Sequence, residues 1–122
     1  MSRHVLVVDD SASMRALVCA ALKALGFQTT EASNGEEALH CLSTMKNVDM
    51  VVTDLNMPVM DGLAFVQNLR RLSALQFTPV LMLTTDKRTA QQGRAKAAGV
   101  TGWLTKPFDP QQLAAVVQRV LP

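Results

Sequence analysis

The stretch Met50-Val51-Val52-Thr53-Asp54 is an apolar, largely β-branched run that ends in a carboxylate. Its composition predicts a short buried strand over residues 49–53. The residues that follow, Leu55-Asn56-Met57-Pro58, are typical of a loop. Because open α/β sheets bind ligands at the carboxyl ends of their strands, we expect Asp54 to stand at a functional crevice.

Four further runs predict strands, and segments of helical periodicity separate them. These strands are predicted over residues 5–8, 27–32, 79–83 and 100–105. Five strands that alternate with five helices predict an α/β fold, with a parallel sheet, helices on both faces and right-handed crossovers.

The first predicted helix follows a capping residue, either Ser11 or Asp10, and stops at Gly26. Cys19 falls on a stripe with Arg15 and Lys23, so we expect Cys19 to be only half buried. The helical spacing predicts an inward apolar face made of Met14, Leu17, Val18, Ala21, Leu22 and Leu25.

Length and composition predict one globular domain over residues 1–122. The chain has 122 residues, of which 48% are hydrophobic, and a formal charge of +2 that does not argue for nucleic-acid binding. We expect no membrane insertion and no secretory leader. Cys19 and Cys41 lack metal-ligand spacing, which favours a reduced cytoplasmic protein with two free thiols.

Polar residues follow four of the predicted strands: Asp9 and Asp10, Asp54, Thr84, and Lys106. Parallel strands place these ends at one edge of the sheet. Each pair of carboxylates at about 4 Å would cost roughly 4 kcal/mol at an effective dielectric constant near 20, so the cluster requires a cation or shifted pKa values. Oxygen-only ligands favour Mg²⁺. With Lys106 and Thr84 nearby, the set is typical of phosphoryl transfer to an aspartate.

These residues resemble the receiver domain of two-component response regulators. The resemblance rests on Asp9-Asp10, Asp54, Met57-Pro58-Val59-Met60-Asp61-Gly62, Thr84 and Lys106-Pro107-Phe108. It covers the whole chain and implies a single receiver domain over 1–122 with no output domain, similar to the stand-alone CheY-like chemotaxis regulators. It also implies a flavodoxin-like sheet in the order 2-1-3-4-5 with five helices.

The resemblance implies a role for each acid. Asp54 would accept a phosphoryl group from the phosphohistidine of a sensor histidine kinase, or from acetyl phosphate. Asp10 and Asp54 would bind Mg²⁺ directly, together with the backbone carbonyl of Asn56, and Asp9 would act through water. Asn56 and Asp86 would tune how water reaches the acyl phosphate.

The resemblance also implies a switch. Thr84 and Lys106 would bond the phosphoryl oxygens, and Lys106 would precede a cis peptide to Pro107. Trp103 occupies the place of the family's aromatic switch residue, where Tyr or Phe is usual.

The implied output surface comprises the fourth predicted helix, the fifth strand and the last helix. The fourth predicted helix begins at Asp86, and its basic side could dock an acidic partner, such as a component of the flagellar motor switch, or could simply be solvated. Trp103 could likewise serve packing alone. On this interpretation the protein is a phosphoacceptor switch and not an enzyme with a separate substrate.

Three alternatives remain open. An aspartate-nucleophile phosphatase uses the same ingredients, but typically has a second Asp where Asn56 stands. A flavin-binding protein of the flavodoxin type would place its phosphate loop after the first strand, where Asp9-Asp10 would repel a phosphate. A receiver in a non-chemotactic phosphorelay would carry the same motifs.

Overall fold

The computed structural model describes residues 3–85 and 99–121. Within them, five strands form one sheet in the order β2-β1-β3-β4-β5, and every neighbouring pair is parallel. The predicted strand order is therefore confirmed. The strands are β1 (His4–Val8), β2 (Gln28–Ala32), β3 (Met50–Asp54), β4 (Val80–Thr84) and β5 (Gly102–Thr105).

The described part of the chain contains four α-helices and one short 3-10 helix. The α-helices are α1 (Ala12–Ala24), α2 (Gly35–Thr44), α3 (Gly62–Arg70) and α4 (Pro110–Val120), and the 3-10 helix is Ser73–Leu75. The fifth predicted helix, which the sequence places between β4 and β5, falls in residues 86–98 and lies outside the described residues. No helix within the described ranges is long and apolar enough to cross a bilayer.

Helices cover both faces of the sheet, as predicted. Successive strand residues point to opposite faces, so the sheet contributes to two cores. Leu6, Val51 and Met82 pack with α2 and α3 on one face. Val5, Val7 and Val52 pack with α1 and α4 on the other. β3 and β4 are buried on both sides, which explains their continuous apolar sequence.

Short polar side chains cap the amino ends of the helices where the loops lead into them. Ser11 accepts a hydrogen bond from the Met14 amide and starts α1. Asp61 accepts from the Ala64 amide and starts α3 directly after the loop that follows β3. Such caps satisfy amides that have no partner inside the helix, and they fix where each loop ends.

The buried face of α1 differs from the predicted one. Cys19 is buried and not half-exposed, whereas Leu17 and Leu25 are 44% and 42% exposed. The Cys19 thiol interacts with the Thr29 side chain of β2. Because α1 packs over this outer strand, the helix buries the stripe that faces β2, a rotation that its own sequence periodicity does not specify.

Arg70, at the end of α3, joins three segments of backbone. Its guanidinium donates hydrogen bonds to the carbonyls of Leu75 and Thr78, both at 2.7 Å, and to the carbonyl of Gly99, at 2.7 and 3.2 Å. Helix α3 is thereby tied to the connection that leads into β4 and to the residues that precede β5.

Candidate functional site

Asp54 ends β3 on a tightly packed backbone. It is buried, and its neighbours Thr53 and Leu55 are buried as well. Leu55 donates its amide to Leu83 of β4 at 2.9 Å and accepts from the Gly62 amide at 2.7 Å. A Cβ at Gly62 would collide with the Asp54 carbonyl and with Leu55 Cα, so only glycine allows α3 to begin so close to this carboxylate.

Lys106 reaches Asp54 from the end of β5. Its Nζ lies 3.1 Å from Asp54 Oδ1 and 3.5 Å from Asp9 Oδ2. The Lys106 amide donates to the Thr84 carbonyl at 2.7 Å, which holds the lysine backbone beside the end of β4. The peptide from Lys106 to Pro107 is cis, as the family resemblance implied. The ammonium is therefore shared by two carboxylates from two other strands.

Asp9 is buried where the chain leaves β1. Its Oδ1 accepts a hydrogen bond from the Ser11 amide at 2.9 Å. Its Oδ2 is buried and accepts no hydrogen bond from the described part of the chain, with Lys106 Nζ at 3.5 Å as an ionic contact. A buried carboxylate oxygen left in this state is costly, so it is suited to a bound cation or an ordered water.

Asp9, Asp10 and Asp54 each present an oxygen within 4.8 Å of the other two. Asp10 is exposed to solvent, whereas Asp9 and Asp54 are buried. The group could hold a metal ion, and a donor set made only of oxygens fits a hard divalent cation such as Mg²⁺. The orphaned Asp9 Oδ2 supports that fit.

Burial raises the pKa of Asp54 above its ordinary value. The hydrogen bond and the positive charge of Lys106 oppose this shift, and the negative charge of Asp9 adds to it. The Asp54 carboxylate is therefore less stable as an anion here than in water, and a further positive charge at the site would favour its ionised form.

Thr84 and Trp103 lie on the neighbouring strands β4 and β5. Thr84 is buried and pairs with Thr105 of β5. The residue before it, Leu83, pairs with Asp54 of β3. Trp103 is partly buried against the core on the α2 and α3 face. It also helps to line a cavity of about 220 Å³ with residues of α4.

Asn56, one of the two predicted tuning residues, lies in the loop that follows β3. Asn56 is exposed, two residues beyond Asp54. Asp86, the other predicted tuning residue, lies outside the described residues. Met57 and Phe108 pack against opposite faces of the core.

Sequence reasoning missed the role of Arg15. Its Nη1 donates to the Asp9 carbonyl at 2.8 Å, and its Nε donates to Glu31 Oε1 at 3.1 Å. The position four residues after the capping Ser11 is compatible with a side chain that reaches back past the helix start. The partner on β2, 16 residues away, left no local signal.

The sequence profile of the response regulator receiver domain matches residues 5–118. The chain is a response regulator receiver domain. This membership confirms the expectation drawn from the motifs, and it covers all the described site residues.

Curated chemotaxis proteins are similar to this receiver domain along nearly its full length. Chemotaxis protein CheY1 of Helicobacter pylori is 38% identical over 117 residues, covering 95% of this chain and 94% of its own. Chemotaxis protein CheY-3 of Vibrio cholerae is 39% identical, covering 95% of this chain and 89% of its own.

A solved structure gives the same result. The chemotaxis response regulator CheY4 of Vibrio cholerae superposes with a TM-score of 0.93 at 43% identity, covering 99% of this chain and all of that one. The receiver domain is therefore of the CheY-like type in both sequence and fold.

Proposed function

We propose that this receiver domain is a phosphorylation-activated response regulator in which Asp54 accepts a phosphoryl group from a sensor histidine kinase. The observation that carries the proposal is the contact of Lys106 Nζ with Asp54 Oδ1 at 3.1 Å, beside the orphaned oxygen of Asp9. A nucleophilic carboxylate, a fixed ammonium and an acidic cation site are the parts that phosphoryl transfer to aspartate requires.

Mg²⁺ is the proposed cofactor. Asp10 and Asp54 would hold it directly, with the backbone carbonyl of Asn56 as a third ligand and Asp9 acting through water. When bound, the ion would supply positive charge that offsets the carboxylates and the transferring phosphoryl oxygens. The buried Asp9 Oδ2, which accepts no hydrogen bond from the described part of the chain, supports this assignment.

In the proposed reaction, an oxygen of Asp54 attacks the phosphorus of the donor. The bond from phosphorus to the imidazole nitrogen of phosphohistidine, or to the acyl oxygen of acetyl phosphate, breaks, and its electron pair stays with the leaving group. The product is an aspartyl phosphate. Lys106, already in contact with Asp54, would pair with a phosphoryl oxygen, and Thr84 would donate its hydroxyl to another.

Asn56 and Asp86 are proposed to set how fast water hydrolyses this aspartyl phosphate. Asn56 is exposed two residues from Asp54, in a position to contact an approaching water. On this proposal the protein is a switch that handles only its own phosphoryl group, and it is not an enzyme that turns over a separate substrate.

Phosphorylation would be transmitted to a protein partner through Thr84 and Trp103. The proposed output surface comprises β5, α4 and residues 86–98, the last of which lie outside the described residues. Trp103 lies in β5 and packs on the α2 and α3 face of the sheet, where a change of ring position would alter the surface that a partner contacts.

A role in chemotaxis is proposed from the relatives. The names of the Helicobacter and Vibrio proteins identify them as chemotaxis proteins, and their similarity covers nearly the whole receiver domain. A chemotaxis kinase as donor, a flagellar motor switch component as target, and a cytoplasmic location follow from this proposal. A receiver in a non-chemotactic phosphorelay would share the same site chemistry.

Intact-mass measurement after incubation with acetyl phosphate and Mg²⁺ tests the site. We expect the wild type to gain one phosphoryl group and Asp54→Asn to gain none. Asp61→Asn is the matched control, because this exposed acid is a helix cap that asparagine can replace. Equal labelling of the wild type and Asp54→Asn would reject Asp54 as the acceptor.

A further inference from the structure

We propose that Arg15 is a positioning residue for the cation site, acting through the backbone of Asp9. The inference rests on the proposed function, since it concerns how the chain presents its Mg²⁺ ligands. Arg15 lies in the first turns of α1 and is mostly buried, with 19% of its side chain exposed. Its guanidinium spans from the end of β1 to β2.

Three hydrogen bonds fix Asp9. Its amide donates to the Ala32 carbonyl of β2 at 3.1 Å, and its Oδ1 accepts from the Ser11 amide at 2.9 Å. Its carbonyl accepts from Arg15 Nη1 at 2.8 Å. The first bond extends the sheet, and the second closes a local turn of the type that Asp commonly forms. The third is the one made by a side chain from elsewhere.

The carbonyl of Asp9 belongs to the peptide that leads into Asp10. Rotation of that peptide would move the Asp10 carboxylate relative to those of Asp9 and Asp54. Asp10 is exposed and receives little restraint from packing, so the orientation of this peptide is what aims its side chain. Arg15 holds that orientation through the carbonyl oxygen.

Glu31 in turn orients Arg15. The Arg15 Nε donates to Glu31 Oε1 at 3.1 Å, which directs the planar guanidinium so that Nη1 points to Asp9. Glu31 is half-exposed and offsets the charge of the arginine. Arginine is suited to this role because its rigid fork can serve two acceptors at once, which a lysine ammonium on a flexible stem does poorly.

A charge role and a positioning role for Arg15 predict opposite changes in Mg²⁺ affinity when the residue is replaced. A positive charge near a cation site repels Mg²⁺, so removal of the Arg15 charge would tighten Mg²⁺ binding if charge were its main contribution. If Arg15 instead positions the ligands, its removal should weaken Mg²⁺ binding. Residues that orient metal ligands typically contribute tenfold or more to affinity, so we expect Arg15→Gln to raise the dissociation constant for Mg²⁺ about tenfold.

Titration calorimetry with MgCl₂ tests the inference on the wild type, Arg15→Gln, Arg15→Lys and Lys23→Gln. We expect both Arg15 variants to bind Mg²⁺ more weakly, because Arg15→Lys keeps the charge and loses the fork. Lys23→Gln removes an exposed charge from the end of the same helix and should bind like the wild type. Labelling by acetyl phosphate should require more Mg²⁺ in the Arg15 variants and should recover when Mg²⁺ saturates.

Wild-type affinity in either Arg15 variant, or tighter binding in Arg15→Gln, would overturn the inference. Urea unfolding without Mg²⁺ establishes that each variant is folded. If Arg15→Gln does not fold, Arg15→Lys decides the question. A wild-type protein that is not labelled at Asp54 would instead reject the proposed function, so the two failures can be told apart.

Discussion

The ammonium of Lys106 lies 3.1 Å from Asp54 Oδ1, although the two residues are 52 positions apart in the chain. The contact joins the end of β3 to the end of β5 across the intervening strand β4. Among the described residues, Lys106 is the one cation that contacts Asp54, and it contacts the oxygen proposed as the nucleophile.

Replacement of Lys106 is expected to slow labelling of Asp54 by acetyl phosphate about a hundredfold or more at saturating Mg²⁺. The reason is that Lys106→Gln removes a fixed positive charge from the site where negative charge develops. Loss of a single such donor typically slows a reaction by about a hundredfold or more. Time courses of intact mass measure it, with Lys23→Gln as the control for charge. A rate within a few-fold of the wild type would contradict a role in transfer.

Substitution of Asp54 is expected to stabilise the metal-free protein at neutral pH. Burial raises the pKa of Asp54, so its ionised form is less favourable in the folded than in the unfolded chain. Stability is therefore lost as the pH rises through the pKa of the folded state. Asp54→Asn should have the larger free energy of unfolding at pH 7, and the difference should shrink as the pH falls to about 3, below the pKa of an unfolded aspartate, where both states bind the proton.

Urea unfolding in the presence of EDTA at the two pH values measures this difference. Asp61→Asn, in an exposed cap, should show little change at either pH. Equal stability of Asp54→Asn and wild type at pH 7 would show that Lys106 fully compensates for burial.

Relief of backbone strain at Val59 is expected to raise the free energy of unfolding by about 1 kcal/mol. Val59 has φ +71° and is 88% exposed, at the centre of a three-residue turn in which the Met60 amide donates to the Pro58 carbonyl at 2.7 Å. β-Branched residues rarely adopt this conformation, whereas Asn tolerates it.

Urea unfolding of Val59→Asn measures the gain. Val59→Ala is the matched comparison and should gain less, since alanine lacks the side-chain amide with which asparagine bonds to the local backbone in the left-handed conformation. A loss of stability in Val59→Asn would mean that the valine side chain makes a favourable contact that outweighs the strain.

The fluorescence of Trp103 is expected to fall when Mg²⁺ and acetyl phosphate are added together. Trp103 is the single tryptophan of the chain and is partly buried against the core on the α2 and α3 face. A change of ring position coupled to phosphorylation would alter its surroundings. The phosphorylation-dependent part of the change should be absent from Asp54→Asn, and an identical response in both proteins would separate Trp103 from the phosphorylation site.

Local sequence signals predicted the elements that position the site. The apolar runs that end at Asp9 and Asp54 are buried on both faces, and a continuous apolar run is what such strands require. Lys106 was placed correctly because a parallel sheet brings all its carboxyl ends to one edge. These predictions needed only periodicity and topology.

Contacts between segments that are far apart in the sequence could not be predicted from local patterns. The burial of Cys19 depends on how α1 sits over β2, and the bond from Arg15 to Asp9 depends on Glu31 of another strand. The residue type at position 59 does not predict the left-handed backbone found there, since valine is among the residues least suited to that conformation. Each of these features is set by tertiary packing and not by local pattern.

The hydrogen bonds from Arg70 to the Gly99 carbonyl have a consequence for the proposed phosphorylation of Asp54. Strand β5 has only four residues and a single strand partner in the described sheet, so its own ladder restrains it weakly. It is fastened at its entrance through Gly99 and at its exit through Lys106. Because both ends of β5 are anchored in this way, we expect a change at the carboxyl end of α3 to alter how close Lys106 stands to Asp54 Oδ1.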